Sequence, residues 1–170
     1  MMGNKAYFVL ADGSVYEGSS FGALQDATGE AVFNTSMTGY QEMLTDPSYA
    51  GQILIATYPL TGNYGISPAS DESGRVQVNG FVVREVCEQP SHYLSHQTLH
   101  DYLAGRGIPG IYGVDTRAIT RHLRSAGVMM SAITTGEPST ALKKLKKMPA
   151  YGEIDYIHAV TARAPYQWNE

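Results

Sequence analysis

Cysteine is nearly missing from this sequence of 170 residues: Cys87 stands alone. One thiol cannot build an intramolecular disulfide, nor a zinc site made mainly of cysteine. Long apolar runs are missing as well. No stretch approaches the roughly 18 residues needed to span a bilayer. The run 6–10 behind the N-terminus is too short for the core of a secretory signal, so the expected location is a reducing cytoplasm. Basic charge is not in excess: 12 Lys and Arg against 16 Asp and Glu leave a net charge of −4, with no bulk attraction to nucleic acid. No phosphate loop of the G-x-x-x-x-G-K-[ST] kind is present, and neither a dinucleotide-binding glycine turn nor a serine-hydrolase elbow is expected.

What is there suffices for a core, with 43% hydrophobic and 16% charged residues; disorder of the whole chain is excluded. The first half reads as strands. Residues 7–10 and 15–17 flank Asp12-Gly13 as a hairpin. A loop is expected over 18–29, a strand over 30–34 and a strand buried on both faces over 52–58. A Gly-rich loop over 61–75 follows, with 62–65 a plain turn. Residues 76–86 return to strand character, with Gly80 at a bulge or a close approach. Thr38 followed by Gln41 matches a capping box for a short helix ending near Pro47.

The second half changes period. Helices are expected over 98–106, over 116–126 behind an Asp115 cap and before a Gly127 stop, and over 138–147 starting at Pro138. Between them lie strands at 111–114 and 128–134. This order predicts one α+β domain with a mixed sheet and three or four short helices over residues 1–150. Residues 151–170 have no clear period and read as a linker.

Candidate chemistry is sparse. Cys87 is followed by Glu88, the wrong sign to favour a thiolate, and reads as an ordinary free cysteine. His92, His96 and His100 would share a face of one continuous helix, as metal ligands can, but Pro90 precedes them and no carboxylate completes a set; a solvated surface is the weightier reading. Arg117, Arg121 and Arg124 form a stripe that is either a solvated face or a contact for an acidic partner. The lysines at 143, 144, 146 and 147 read as solvating. The densest feature is 33–51, FNTSMTGYQEMLTDPSYAG. Its hydroxyls could merely cap the short helix, or could present donors to a polar ligand.

The same residues carry a family resemblance. The string over Gly29–Gly65, with "GFVVRE" over Gly80–Glu85 and the string over Tyr102–Met129, resembles the amino-terminal domain of the small, glutamine-hydrolysing subunit of carbamoyl phosphate synthetase. The resemblance implies a swivelling β/β/α-type domain. It implies a function in making carbamoyl phosphate from glutamine, bicarbonate and ATP, for arginine and pyrimidine synthesis. The partners implied are the large subunit, which uses ATP with Mg or Mn, and a class I glutamine amidotransferase domain whose Cys–His–Glu triad is not in this chain. The chain alone is therefore expected to be non-catalytic and to bind no cofactor, as an isolated domain or gene fragment with 151–170 leading toward the absent part. By the same resemblance Ser48, in D-P-S-Y, contributes to the bound glutamine, and Ser36, in N-T-S-M-T-G-Y, lies near the ammonia path. No role for the three histidines is implied. The alternative is a stand-alone interaction domain that has lost the glutaminase.

Overall fold

The structure is a computed structural model and describes residues 3–162, 164, 165 and 167. Nine strands form in chain order: β1 (Lys5–Leu10), β2 (Val15–Gly22), β3 (Ala27–Asn34), β4 (Gln52–Ala56), β5 (Leu60–Thr61), β6 (Gly80–Val82), β7 (Glu85–Val86), β8 (Pro109–Tyr112) and β9 (Met129–Thr134). Five α-helices join them: α1 (Tyr40–Thr45), α2 (Leu99–Ala104), α3 (Thr116–Ala126), α4 (Pro138–Leu145) and α5 (Tyr156–Val160). The fold is α+β with a mixed sheet. The fifth helix lies in the segment without periodicity.

Seven strands close into a barrel in the order β1-β2-β8-β6-β4-β3-β9. The sequence shows why it begins as it does. Asp12-Gly13 turns the first hairpin, with Gly13 at φ +98° and Asp12 Oδ1 accepting the Ser14 N–H at 2.9 Å. β3, β4, β6 and β8 then run parallel to one another, so their carboxyl ends gather at one rim. β9 pairs antiparallel with β1 and with β3 and closes the ring.

Alternation places one side-chain set inside. Phe8, Leu10, Ala31, Ile53, Ile55, Val82, Ile111 and Ile133 pack in one cluster, and Ile119 and Leu123 of α3 join it. The opposite parity of β4, Leu54 and Ala56, lies under α1 and α2 with Leu44, Leu99, Tyr102 and Leu103. β4 is thus buried on both faces, as its unbroken apolar run predicts. Leu145, Leu142 and Met148 pack on Val9 and Ala132, as the spacing of α4 predicts.

The differences from the sequence reading have physical reasons. Residues 18–29 are mostly strand, since β2 extends to Gly22 and pairs with β8, leaving only 23–26 as a turn. The expected strand over 76–86 is two short strands instead: 76–79 lie outside any strand, β6 pairs within the barrel, and after a bend at Arg84 β7 pairs with β5 in a separate two-stranded sheet. Of the two readings of Gly80 the close approach holds: a Cβ there would lie 2.8 Å from Ile133 Cδ1. Part of 151–170 is helical, and Tyr151 donates to the Ala50 carbonyl at 2.8 Å. The rest of the linker reading, at Arg163, Tyr166 and 168–170, falls outside the described residues.

Two strings fit the letters of the excluded glycine motifs without their context. Gly105–Gly110 (GRGIPG) leads from a helix into a strand, the reverse of a dinucleotide turn. Gly18–Gly22 (GSSFG) lies inside β2, with Ser20 buried rather than raised on an elbow.

Phe8 is fully buried in the barrel. Phe8→Ala should destabilise the fold by about 3–5 kcal/mol, read from urea unfolding; a loss under about 1 kcal/mol would mean that the barrel interior is not the main core.

Candidate functional site

β3 ends at Asn34, and four contacts converge there. Its carbonyl accepts the Thr57 N–H at 3.1 Å and the Thr57 hydroxyl at 3.0 Å, fastening the chain beyond the last pair of the β3–β4 ladder. Its side-chain oxygen accepts the Ser36 N–H at 2.7 Å, and its amide donates to the Tyr49 hydroxyl at 2.9 Å. One half-buried amide therefore links the turn that carries Ser36 to the 3-10 turn Pro47–Tyr49 that carries Ser48. Both serines are exposed, and neither hydroxyl bonds to another described residue. Ser36 borders a small apolar recess with Met37, Tyr40, Met43 and Leu60.

The capping reading is corrected here. α1 has Gly39 at its N-cap, at φ +86°, with no side-chain cap. The Tyr64 hydroxyl fills that role instead, accepting from the Gly39 N–H at 2.7 Å and the Tyr40 N–H at 3.1 Å. Gln41 turns away, its amide nitrogen donating to Ser67 O at 2.5 Å and to Asp71 Oδ1 at 2.7 Å. Asp46, not Ser48, caps the 3-10 turn, accepting the Ser48 N–H at 2.8 Å. Neither Ser36 nor Ser48 caps a helix, so their hydroxyls stay open to solvent.

Tyr64 belongs to the turn read over 62–65, where the Gly65 N–H bonds the Gly62 carbonyl at 3.0 Å. Its ring stacks on Tyr40 at 4.2 Å and 19°, and Tyr40 donates to the Gly65 carbonyl at 2.5 Å. Burial first, then the Tyr64 neighbour, pushes the Tyr40 phenol far above its usual range. Burial also raises Tyr64 and Tyr102.

The histidines do not share a face. His92 lies in a loop against Tyr93. The His96 N–H bonds the Ile66 carbonyl at 2.9 Å. His100, on α2, accepts the Gly22 N–H at 3.0 Å. No group of three His, Cys, Asp or Glu gathers as metal ligands among the described residues. Cys87 is half-buried and free, with Sγ 3.4 Å from the Gln89 carbonyl.

A larger cleft, about 360 Å³, adjoins the Asn34 turn. It lies where the parallel strands end, between Thr35, Thr57, Pro59 and Arg84 on one side and Thr116, Arg117, Thr120, Arg121 and Arg124 of α3 on the other. Asp115 and Gly127 bound α3 as predicted. Asp115 accepts the Ala118 N–H at 2.9 Å, and Gly127 sits at φ +89°.

Residues 8–133 match the family described as carbamoyl-phosphate synthase small chain, CPSase domain. The chain belongs to that family. It is 50% identical over 98% of its length to the carbamoyl phosphate synthase small chain of Syntrophotalea carbinolica (strain DSM 2380 / NBRC 103641 / GraBd1), covering 45% of that relative. It is 52% identical over 99% of its length to the small chain of Thermosynechococcus vestitus (strain NIES-2133 / IAM M-273 / BP-1), again covering 45%. The chain thus spans under half the length of these relatives. Among solved structures an aminopeptidase from Aneurinibacillus sp. strain AM-1 overlaps 77% of this chain and 30% of its own, at a TM-score of 0.45 and 16% identity, too remote to inform function.

Within this family domain, sequence reasoning found both serine turns but missed their support. Asn34 was visible as an Asn ahead of Thr-Ser, the signature of a side chain that bonds its own backbone two residues on. Thr57 and Arg84 carried no local signal, since only the barrel brings them to Thr35 and α3.

Asn34→Ala should cost about 0.5–1.5 kcal/mol, because it removes the bond to the half-buried Tyr49 hydroxyl and releases the exposed Ser36 N–H to water, and amide exchange should quicken at Ser36 and in 47–49; unchanged exchange would remove the bridging role. Alkali tests the tyrosines. A phenol whose folded pKa lies above its unfolded value, about 10, supports the fold while protonated, so stability should hold below that pH and fall as pH rises through the raised values. Tyr40→Phe should make that alkaline loss shallower while costing about 0.5–1.5 kcal/mol at neutral pH; an unaltered alkaline slope would count against it.

Proposed function

We propose that this domain serves a glutamine-dependent carbamoyl phosphate synthetase as a non-catalytic part of its small chain. In this reading it docks the large chain, completes one wall of the glutamine site through Ser48, and borders the ammonia path at Ser36. A class I glutamine amidotransferase domain supplies the nucleophile, and the large chain uses ATP with Mg or Mn. This domain binds no cofactor of its own and works in the cytoplasm.

Membership of the small-chain family carries the proposal. The two serines support the assignment of roles. A hydroxyl donates and accepts without titrating in the working range. It can bond the carboxylate or ammonium of an amino acid, or pass a neutral ammonia molecule, without trapping it as a charged group would. Ser36 and Ser48 are both open to such partners, and Asn34 ties their turns to one another. A ligand held between two domains meets only one wall here, so the domain alone is expected to bind glutamine weakly and to hydrolyse none.

The test uses the full small chain assembled with its large chain. Ser48→Ala should raise the glutamine KM by about ten- to a hundredfold, the cost of one hydrogen bond to a charged group, with ammonia-dependent synthesis intact. Ser36→Phe should leave glutamine hydrolysis running while carbamoyl phosphate output falls. Equal ratios of hydrolysis to synthesis in wild type and Ser36→Phe would sink the passage role, and an unchanged KM in Ser48→Ala would sink the glutamine contact.

A further inference from the structure

The arginine cleft is the part of the surface that these roles leave unexplained. Arg117, Arg121 and Arg124 recur at i, i+4 and i+7 along α3, so the helix places all three on one side, opposite buried Ile119 and Leu123. Arg84 faces them across the cleft from the end of β6. Among the described residues the three helix arginines make no ion pair, and Arg84 reaches only its neighbour Glu85, at 4.0 Å. Among the described residues no acidic side chain lines the cleft; Glu85 and Asp115 line the adjoining cavity instead. Four guanidinium groups around one depression repel one another. On a chain of net charge −4 they stand out as a local positive field.

The floor decides what kind of anion fits. A site for a small free anion needs donors converging below it, yet two of the four threonine hydroxyls there are already committed. Thr57 donates to the Asn34 carbonyl at 3.0 Å and Thr120 to the Thr116 carbonyl at 2.8 Å. The surface the cleft exposes is mostly apolar, drawn from Pro59 and from threonine and arginine side chains whose charged ends stay hydrated. Apolar surface continues beyond it: Met37 is 71% exposed, Tyr58 41% and Leu60 39%, each within two residues of a cleft residue. An apolar floor under a cationic rim is the anatomy of a protein–protein contact.

We propose that this cleft, with the adjoining Met37, Tyr58 and Leu60, is the docking surface for an acidic protein segment that inserts an apolar side chain over Pro59 and sets carboxylates against Arg84, Arg117, Arg121 and Arg124. The identity of the partner rests on the function proposed above, in which the segment belongs to the large chain. Arginine suits the task, since its planar fork pairs a carboxylate through two parallel bonds. Rim charges of this kind govern the rate of encounter and its salt dependence.

The experiment measures association of the full small chain with its large chain at about 0.05 and 0.3 M salt, where screening differs severalfold. The variants are Arg117→Ala/Arg121→Ala/Arg124→Ala, the single Arg121→Glu, and Lys143→Glu/Lys144→Glu on α4 as a control for net charge. Melting temperature and glutamine hydrolysis by the small chain alone are followed in each. The arginine variants should bind about tenfold or more weakly, with a flatter salt dependence, while hydrolysis persists and the lysine control binds as wild type does. If the triple variant melts early, Arg121→Glu carries the test. Wild-type association with equal affinity and equal salt slope in Arg121→Glu would overturn the cleft assignment and leave the proposed function standing. Equal weakening in the lysine control would reduce the effect to bulk charge and overturn it too. No association of wild type with the large chain would overturn the docking reading itself, and this surface with it.

Discussion

Everything in this domain hangs on β9 reaching both β1 and β3. The first two strands form a hairpin by local chemistry, and the four parallel strands stack in a row, but neither set covers its own inner face. Pairing of β9 with β1 through Tyr7–Leu10 and with β3 through Ala27–Ala31 turns two open edges into none. An open sheet edge invites pairing with other chains, and closure removes that hazard. Closure also fixes the interior volume that Phe8, Leu10, Ile53, Ile55 and Ile133 fill. The contact is expensive in chain entropy, because Leu10 and Ser131 lie far apart in sequence and must meet before the interior is sealed.

Closure explains where the candidate surface lies. Parallel strands end on the same side, so β3, β4 and β6 deliver Thr35, Thr57 and Arg84 to one rim, and α3 lies across it. The Ser36 turn leaves from the end of β3, and the Ser48 turn enters β4 from the other direction. Asn34 spans the gap between them with one amide. The cleft and the serine turns are thus two outcomes of one topology, not separate additions to it.

Local signals were legible where the partners were local. The Asp12-Gly13 turn, the Asp115 cap, the Gly127 stop and the Pro138 start all act within a few residues, and the structure keeps each of them. The Thr38–Gln41 box failed for the opposite reason. Its backbone donors found the Tyr64 hydroxyl, which arrives from 24 residues away along the chain, and a strong phenol acceptor fixed by ring stacking displaced the local one. The strand over 18–22 was hidden because Gly18, Ser19 and Ser20 look like a turn, and pairing with β1 and then β8 holds them extended. The positions of Ser36 and Ser48 came from family resemblance, while the arginine stripe was readable from periodicity alone. That the stripe faces Arg84 was not, since no sequence spacing relates 84 to 117.

Gly51 shows how tightly two distant parts of the chain limit each other's heritable variation. It sits at φ +77°, and a Cβ there would lie 2.1 Å from the Tyr156 ring, which itself stacks on Tyr151 at 4.7 Å. Any side chain at 51 meets two independent obstacles, backbone conformation and occupied space. A lineage that lost Tyr156 would lift the second and still face the first, about 1 kcal/mol or more for a residue other than glycine. Substitution at 51 therefore requires the Tyr156 ring to swing away as well as a strained backbone, whereas a smaller residue at 156 leaves Gly51 undisturbed. Change at this contact is therefore easier when it starts at 156 than at 51.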